Sequence, residues 1–201
     1  MIKKSSAIVL CAAALSPFAV QAQKRAEQHD LVYVTYAMGV VHADTLDPLK
    51  RDSSGLFKTD TSPMGLRIAA GRQWGPIWST ELSLTHYGTS TFEAPVANAH
   101  GWATASGVAL WSVWRAPTDL GLVWATRLGV SHNWSRGVAR EDGYADIDKH
   151  WGTWAPAYGL GLEYPLGEGW RVQLTGDLTN VRIGDDRPAV KFYALGVTKA
   201  F

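Results

Sequence analysis

Apolar and polar residues alternate along most of this chain with a period of two. In the clearest stretch, Trp170, Val172, Leu174, Gly176 and Leu178 share one face, and Arg171, Gln173, Thr175 and Asp177 share the other. Successive side chains of an extended strand point to opposite faces, so this is a strand signature rather than a helical one. The pattern recurs upstream, where Pro156, Tyr158, Leu160, Leu162 and Tyr164 alternate with Ala157, Gly159, Gly161 and Glu163. It recurs at the end, where Tyr193, Leu195, Val197 and Phe201 alternate with Ala194, Gly196, Thr198 and Ala200. Eight strands are predicted: Leu31–Val41, Met64–Trp74, Ile77–Tyr87, Trp102–Trp114, Leu120–Trp134, Thr153–Tyr164, Trp170–Val181 and Val190–Phe201. The first and fourth alternate most weakly. Most run 11 to 13 residues, the fifth 15. A tilted membrane-crossing strand needs about 9–11 residues, whereas ordinary globular strands have about 5–6.

The connections alternate too. Gly75-Pro76, Arg115 to Asp119 and Pro165 to Gly169 are short and carry Gly or Pro, as tight turns do. Residues 42–63, 88–101, 135–152 and 182–189 are longer and hold most of the loop charge, including Asp44, Asp47, Lys50, Arg51, Asp52, Arg140, Glu141, Asp142, Asp185, Asp186 and Arg187. Short turns on one side and long loops on the other predict an all-β fold, an eight-stranded antiparallel up-and-down transmembrane β-barrel with both chain ends on the short-turn, periplasmic side. A soluble eight-stranded barrel would instead turn its apolar face inward around a ligand.

Tryptophan favours the membrane. Trp74, Trp78, Trp114 and Trp170 flank the short turns, and Trp102, Trp134, Trp151 and Trp154 lie at the long-loop ends. Only Trp111 and Trp124 fall mid-strand. Indole joins an apolar body to a polar N–H and settles where hydrocarbon meets water, so two aromatic girdles are expected. Arg127, Glu163, Arg171 and Asp177 then fall on inward faces, where each buried ion needs a partner, with Glu163 expected to serve Arg127 or Arg171. Alternating Gly and Ala leave room for these side chains. Eight strands enclose a lumen only wide enough for side chains, so it should be plugged rather than open as a pore.

Composition narrows the class. Lys3 and Lys4 precede the apolar run Ala7 to Val20, and Val20-Gln21-Ala22 offers a small-residue exit. This is the layout of a secretory signal peptide over residues 1–22, and the run is too short to span a membrane as a helix. Leu10 before Cys11 disfavours lipoprotein processing. The mature barrel domain, residues 23–201, would carry 17 basic and 18 acidic residues and no cysteine. Disulfides, thiolate chemistry and Cys-ligated zinc are thereby excluded, and no basic surplus favours nucleic acid.

The run Ala155-Pro156-Ala157-Tyr158-Gly159-Leu160-Gly161-Leu162-Glu163-Tyr164 resembles the sixth strand of the OmpA-like/OmpX-like small outer-membrane barrels, and Tyr193 to Phe201 resembles their last. Members of that family end in a Phe read by the barrel-insertion machinery. Phe201 fills that place here, with Lys199 where an aromatic is more usual. The resemblance implies the fold and location in the Gram-negative outer membrane, among lipid and lipopolysaccharide. It implies no activity, and no peptidoglycan-binding domain is expected after the last strand.

Candidate chemistry is sparse. Some small barrels hydrolyse lipid A with a His and a Ser near the rim. Ser131-His132-Asn133-Trp134-Ser135 and Thr85-His86-Tyr87-Gly88-Thr89-Ser90 invite that comparison. A strand places residues i and i+2 on one face, but those positions hold Trp134 and Gly88, not Ser. His29, His42, His86, His100, His132 and His150 lack metal-ligand spacing, and no phosphate-cradling loop is present. No catalytic, metal or cofactor site is therefore assigned. The expected role is structural or adhesin-like, through loops that meet host or surface ligands, with 42–63 the longest at 22 residues. A lipid A-modifying hydrolase and a soluble periplasmic ligand-binding barrel are the alternatives.

Overall fold

The computed structural model describes residues 31–43, 58–59, 63–94, 99–141, 147–183 and 187–201. The predicted leader, Cys11, His29, and Asp44, Asp47, Lys50, Arg51, Asp52, Asp142, Asp185 and Asp186 lie outside them. The described strands are β1 (Val32–Ala43), β2 (Lys58–Thr59), β3 (Met64–Gln73), β4 (Trp78–Ala94), β5 (Ala99–Pro117), β6 (Val123–Glu141), β7 (Ile147–Gly167), β8 (Trp170–Asn180) and β9 (Ala189–Ala200). β2 is a two-residue addition to the edge of β4. The other eight pair antiparallel, each with its sequence neighbour, and β1 with β9 closes the cylinder. Closure gives each of these eight strands two partners, which satisfies the backbone where lipid offers it nothing.

The apolar side of each strand faces out. Leu160, Leu174 and Leu195 are each 59% exposed, while the alternate positions Ala157, Gln173 and Ala194 are buried. A soluble barrel with an inward apolar face is ruled out by this arrangement. The weakly alternating β1 obeys it as well: Val32, Tyr36, Met38 and Val40 are exposed, and Tyr33, Thr35, Ala37 and Val41 are buried.

The turns differ in detail from expectation. The second short connection is Thr118 to Leu122, not Arg115 to Asp119. Thr118 N donates to Leu122 O at 2.8 Å, Gly121 N donates to Thr118 O at 3.1 Å, and Gly121 takes φ +75. This is a three-residue hairpin loop with glycine at its left-handed position. Pro117 ends β5 rather than opening the turn, so Arg115 belongs to the strand and points inward. β6 accordingly begins at Val123, which moves Trp124 from mid-strand to the short-turn rim. The third turn tightens to Glu168-Gly169, both at positive φ, beneath the Gly167–Trp170 pair. Lys199 Nζ donates to the Glu168 carbonyl at 2.7 Å, so the long side chain that breaks the apolar face of β9 caps this turn.

β4 to β7 run 17, 19, 19 and 21 residues, against 10 to 12 for β1, β3, β8 and β9. Much of 88–101 and 135–152, loop by the sequence pattern, is thus paired strand, from Thr89↔Thr104 to Ala94↔Ala99 and from Ser135↔Trp151 to Ala139↔Ile147.

Candidate functional site

The lumen is filled by two ionic layers. Near the short-turn end, Glu163 on β7 accepts from Arg115 Nε at 3.0 Å on both oxygens, and from Arg171 Nη1 at 3.0 Å. Arg115 also donates to Ser79 at 2.5 Å, and Tyr33 lies under both guanidinium groups at 5.2 and 5.3 Å. One level up, Arg127 donates to Glu81 and, at 3.1 Å, to Asp177. Arg67 donates to Asp177 and, at 2.9 Å, to Thr175. Trp111 closes this layer with its ring 4.4 Å from the Arg127 guanidinium, and donates its N–H to Ser83 at 2.8 Å.

All four charges placed inward from the sequence are inside. Of the two partners expected for Glu163, Arg171 is the one it serves, together with Arg115, whereas Arg127 belongs to Glu81 and Asp177. Arg67, Glu81 and Arg115 are further members that the sequence reading does not single out. Each sits at an inward position of an alternating strand, so the parity of β3, β4 and β5 is the signal that would find them. Glycine supplies the space. A methyl group at Gly159 would overlap Asp177 Oδ1 and press Arg127 Cβ at 3.2 Å.

Above the ions, Ser131 and Thr179 share a 2.7 Å hydrogen bond, and Asn133 Nδ2 donates to Asn180 O at 2.7 Å. Val181 then folds inward, fully buried, among Tyr87, Val190 and Phe192. A residual cavity of about 10 Å³ remains beside Asp177 and Thr179. That is room for about one water. Among the described residues, side chains fill the lumen at these levels.

The outer wall carries the candidate chemical groups. His132 points to the lipid side with its ring 4.8 Å from Trp154. Ser131 and Ser135 point into the barrel, so neither shares its face. His86 has a partner that the sequence along its own strand does not reveal: Ser106 of β5, paired directly across, sits 2.9 Å from His86 Nδ1. Among the described residues no carboxylate pairs with His86, and none form a group that could hold a metal.

Trp74, Trp78, Trp114, Trp124 and Trp170 are exposed around the short-turn rim. Trp74 and Trp78 donate to Thr80 at 3.0 Å and Ser112 at 2.7 Å, which accounts for two of the hydroxyls on the outer wall. Trp134 and Trp154 are exposed toward the opposite end. Beyond them the strand extensions hold the bidentate Arg136–Asp148 pair, with Arg136 5.4 Å over Trp102.

An apolar cylinder with aromatic rims and a closed ionic interior defines a small membrane-spanning barrel. Residues 9–201 match the outer membrane protein beta-barrel domain family, and the chain belongs to it. The protein is an outer-membrane barrel. Its fold is similar to that of Ail, the attachment invasion locus protein of Yersinia pestis, at 18% identity and TM-score 0.52 over 87% of this chain and 99% of that one. Ail has also been solved with the heparin analogue sucrose octasulfate. The outer membrane protein OprG from Pseudomonas aeruginosa matches at 12% identity and TM-score 0.52, over 87% of this chain and 97% of that one. A major outer membrane protein from Thermus thermophilus matches at 12% identity and TM-score 0.54, over 87% of this chain and 100% of that one. No curated protein matches the chain by sequence.

Proposed function

We propose that this protein is a surface-interaction barrel, adhesin-like and non-enzymatic, whose ligand-facing part is the sheet formed where β4 to β7 outgrow the membrane. The observation that carries this reading is the length of those strands. β6 continues seven residues past Trp134, to Glu141. At about 3.3 Å per residue, that is roughly 20 Å of strand above the upper aromatic rim. Paired strand is a pre-ordered platform, and binding to it loses less entropy than binding to a loose loop. A barrel of this fold, that of Ail, takes a sulfated heparin analogue, so the architecture is compatible with an external ligand.

In this reading residues 1–22 are a cleaved leader, both ends of the mature chain are periplasmic, and lipid and lipopolysaccharide surround the wall. The insertion machinery reads Phe201, whose ring is exposed at the end of β9 and whose N–H donates to Val32 O at 2.9 Å. The His86–Ser106 pair lacks, among the described residues, the carboxylate that orients the imidazole in a Ser-His-Asp triad. The pair therefore acts as interfacial polarity.

The test replaces residues 91–102 and 138–148 with short turns and compares cell adhesion and sulfated-glycan binding. Loss of binding with the barrel still inserted is expected. Binding unchanged by the truncation would overturn the assignment. An altered lipid A acyl pattern dependent on the gene would establish the hydrolase instead.

A further inference from the structure

Gly152 is a strand glycine that the packing of the barrel does not require. At Gly39, Gly71, Gly107 and Gly129 an added Cβ would overlap a neighbouring atom, so crowding demands glycine there. At Gly152 the nearest atom would be His132 Nε2, at 3.6 Å, an ordinary contact. Gly152 pairs with Trp134 in regular register, and its backbone is that of a normal strand. Glycine weakens a strand interior, and where no bulge or crowding explains it, it marks the close approach of a ligand.

The gap at Gly152 is walled by rings. Gly152 faces outward and is exposed. Trp134 stands directly across from it on β6, and Trp154 follows it on the same face of β7. His132 lies between them, its ring 6.2 Å from that of Trp134 and 4.8 Å from that of Trp154. Trp154 is 70% exposed, against 40–54% for the other tryptophans of the two rims. Among the described residues no strand lies on the far side of β7 at this height, because its pairing with β8 stops at Tyr158↔Leu178. The notch is therefore open to the side. Beyond the rings, toward the long-loop end, Arg136 holds Asp148 through Nε at 2.9 Å and Nη2 at 2.6 Å, and His150 lies 3.8 Å from the same carboxylate. Arg136 engages each Asp148 oxygen once, which leaves acceptor capacity on both. The pair is already locked, so binding to it costs little further ordering. Its charges cancel, and it offers no surplus cation to an anion.

We propose that this notch binds a neutral oligosaccharide of an external glycan, one pyranose face lying in the gap at Gly152 against Trp134 and Trp154, and hydroxyls further along the chain reaching His150 and Asp148. The C–H bonds of a pyranose face, made slightly positive by the oxygens beside them, suit the negative faces of indole rings. At about 3.3 Å per residue, Asp148 lies roughly 13 Å along β7 from Gly152, so several linked sugars are needed to use both parts. An acyl chain would leave the polar pair unused, and the phosphorylated headgroup of the membrane's own glycolipid would meet no unmatched cation there. The inference rests on the reading of β4 to β7 as a ligand platform and names the class of ligand.

The test titrates cellotetraose, a neutral chain of β-linked glucose, into the full mature barrel in phosphatidylcholine nanodiscs, read by saturation-transfer NMR on the sugar protons. The tetramer of β-linked glucuronic acid, which adds negative charge to the same rings, and nanodiscs containing lipopolysaccharide are the comparisons. Saturable binding is expected, at least tenfold tighter than for the charged tetramer and unchanged by lipopolysaccharide. Gly152→Leu fills the gap while adding apolar surface to the wall, so it should weaken binding at least tenfold with the barrel still inserted. Gly152→Ala should weaken it less, and Trp154→Ala should match the leucine variant. Absence of saturable binding, equal or tighter binding of the charged tetramer, displacement by lipopolysaccharide, or indifference to Gly152→Leu would overturn the proposal. Cellotetraose binding as expected, with cell adhesion unchanged by trimming the strand extensions, would leave the notch standing and overturn the adhesive reading alone.

Discussion

Glu163 shows how a single residue secures this lumen. It is the only acid among the described residues that pairs with Arg115 and Arg171. Removing one partner from a buried ionic group leaves uncompensated charge, at a cost of about 3–5 kcal/mol. Glu163→Gln should therefore lower the free energy of urea unfolding in lipid vesicles by an amount of that order, and an unchanged value would contradict the pairing. At the other extreme is the Arg136–Asp148 pair, outside the membrane. The hydrogen bond from Arg136 holds the Asp148 carboxyl below its ordinary range, and the guanidinium charge adds to the effect. A depressed carboxyl contributes stability above its unfolded value of about 3.9 and loses it as pH falls through the folded value. Both side chains are exposed to water, so the effect belongs to titration rather than to global stability. In Arg136→Gln the Asp148 carboxyl should titrate at higher pH, as followed by carbon-13 NMR. An unmoved midpoint would show that the pair does not persist in solution.

Strands are legible in the sequence because lipid imposes a strict parity on them. All eight predicted segments are strands, and the alternation of Trp170 to Leu178 and of Pro156 to Tyr164 reports correctly which face meets lipid. Parity also assigns Arg127, Glu163, Arg171 and Asp177 to the lumen. It does not give their partners, because Arg127 reaches Asp177 over the intervening β7, from a strand that is not its neighbour. The strands extend further above the membrane than the pattern indicates, since outside lipid both faces meet water and the apolar alternation fades. Pro117 masks Arg115 in a similar way, by suggesting a turn where a strand ends. Glycine placement belongs to this scale as well. Gly159 gives Asp177 and Arg127 their space, so Gly159→Val should prevent or strongly destabilise insertion. Loss of the compact, heat-modifiable band on a gel is the expected readout, and a normal band would mean the ionic layer can move aside.

As a whole molecule the barrel is a plug within a cylinder. Among the described residues the ionic layers and the buried Val181 leave no continuous passage, so reconstitution into planar bilayers should give no stable conductance steps. Regular steps in the purified protein would require a second, open packing of the lumen. Everything at the larger scale depends on the apolar residues facing acyl chains. The mature sequence expected from the leader pattern has no cysteine, so single nitroxide labels can be placed without background. Labels at Leu160, Leu174 and Leu195 in lipid vesicles should be accessible to oxygen and shielded from water-soluble nickel complexes, while labels at Ala157 and Ala194 should show restricted motion and little access to either. Immobile labels at the three leucines, sheltered from oxygen, would contradict the account.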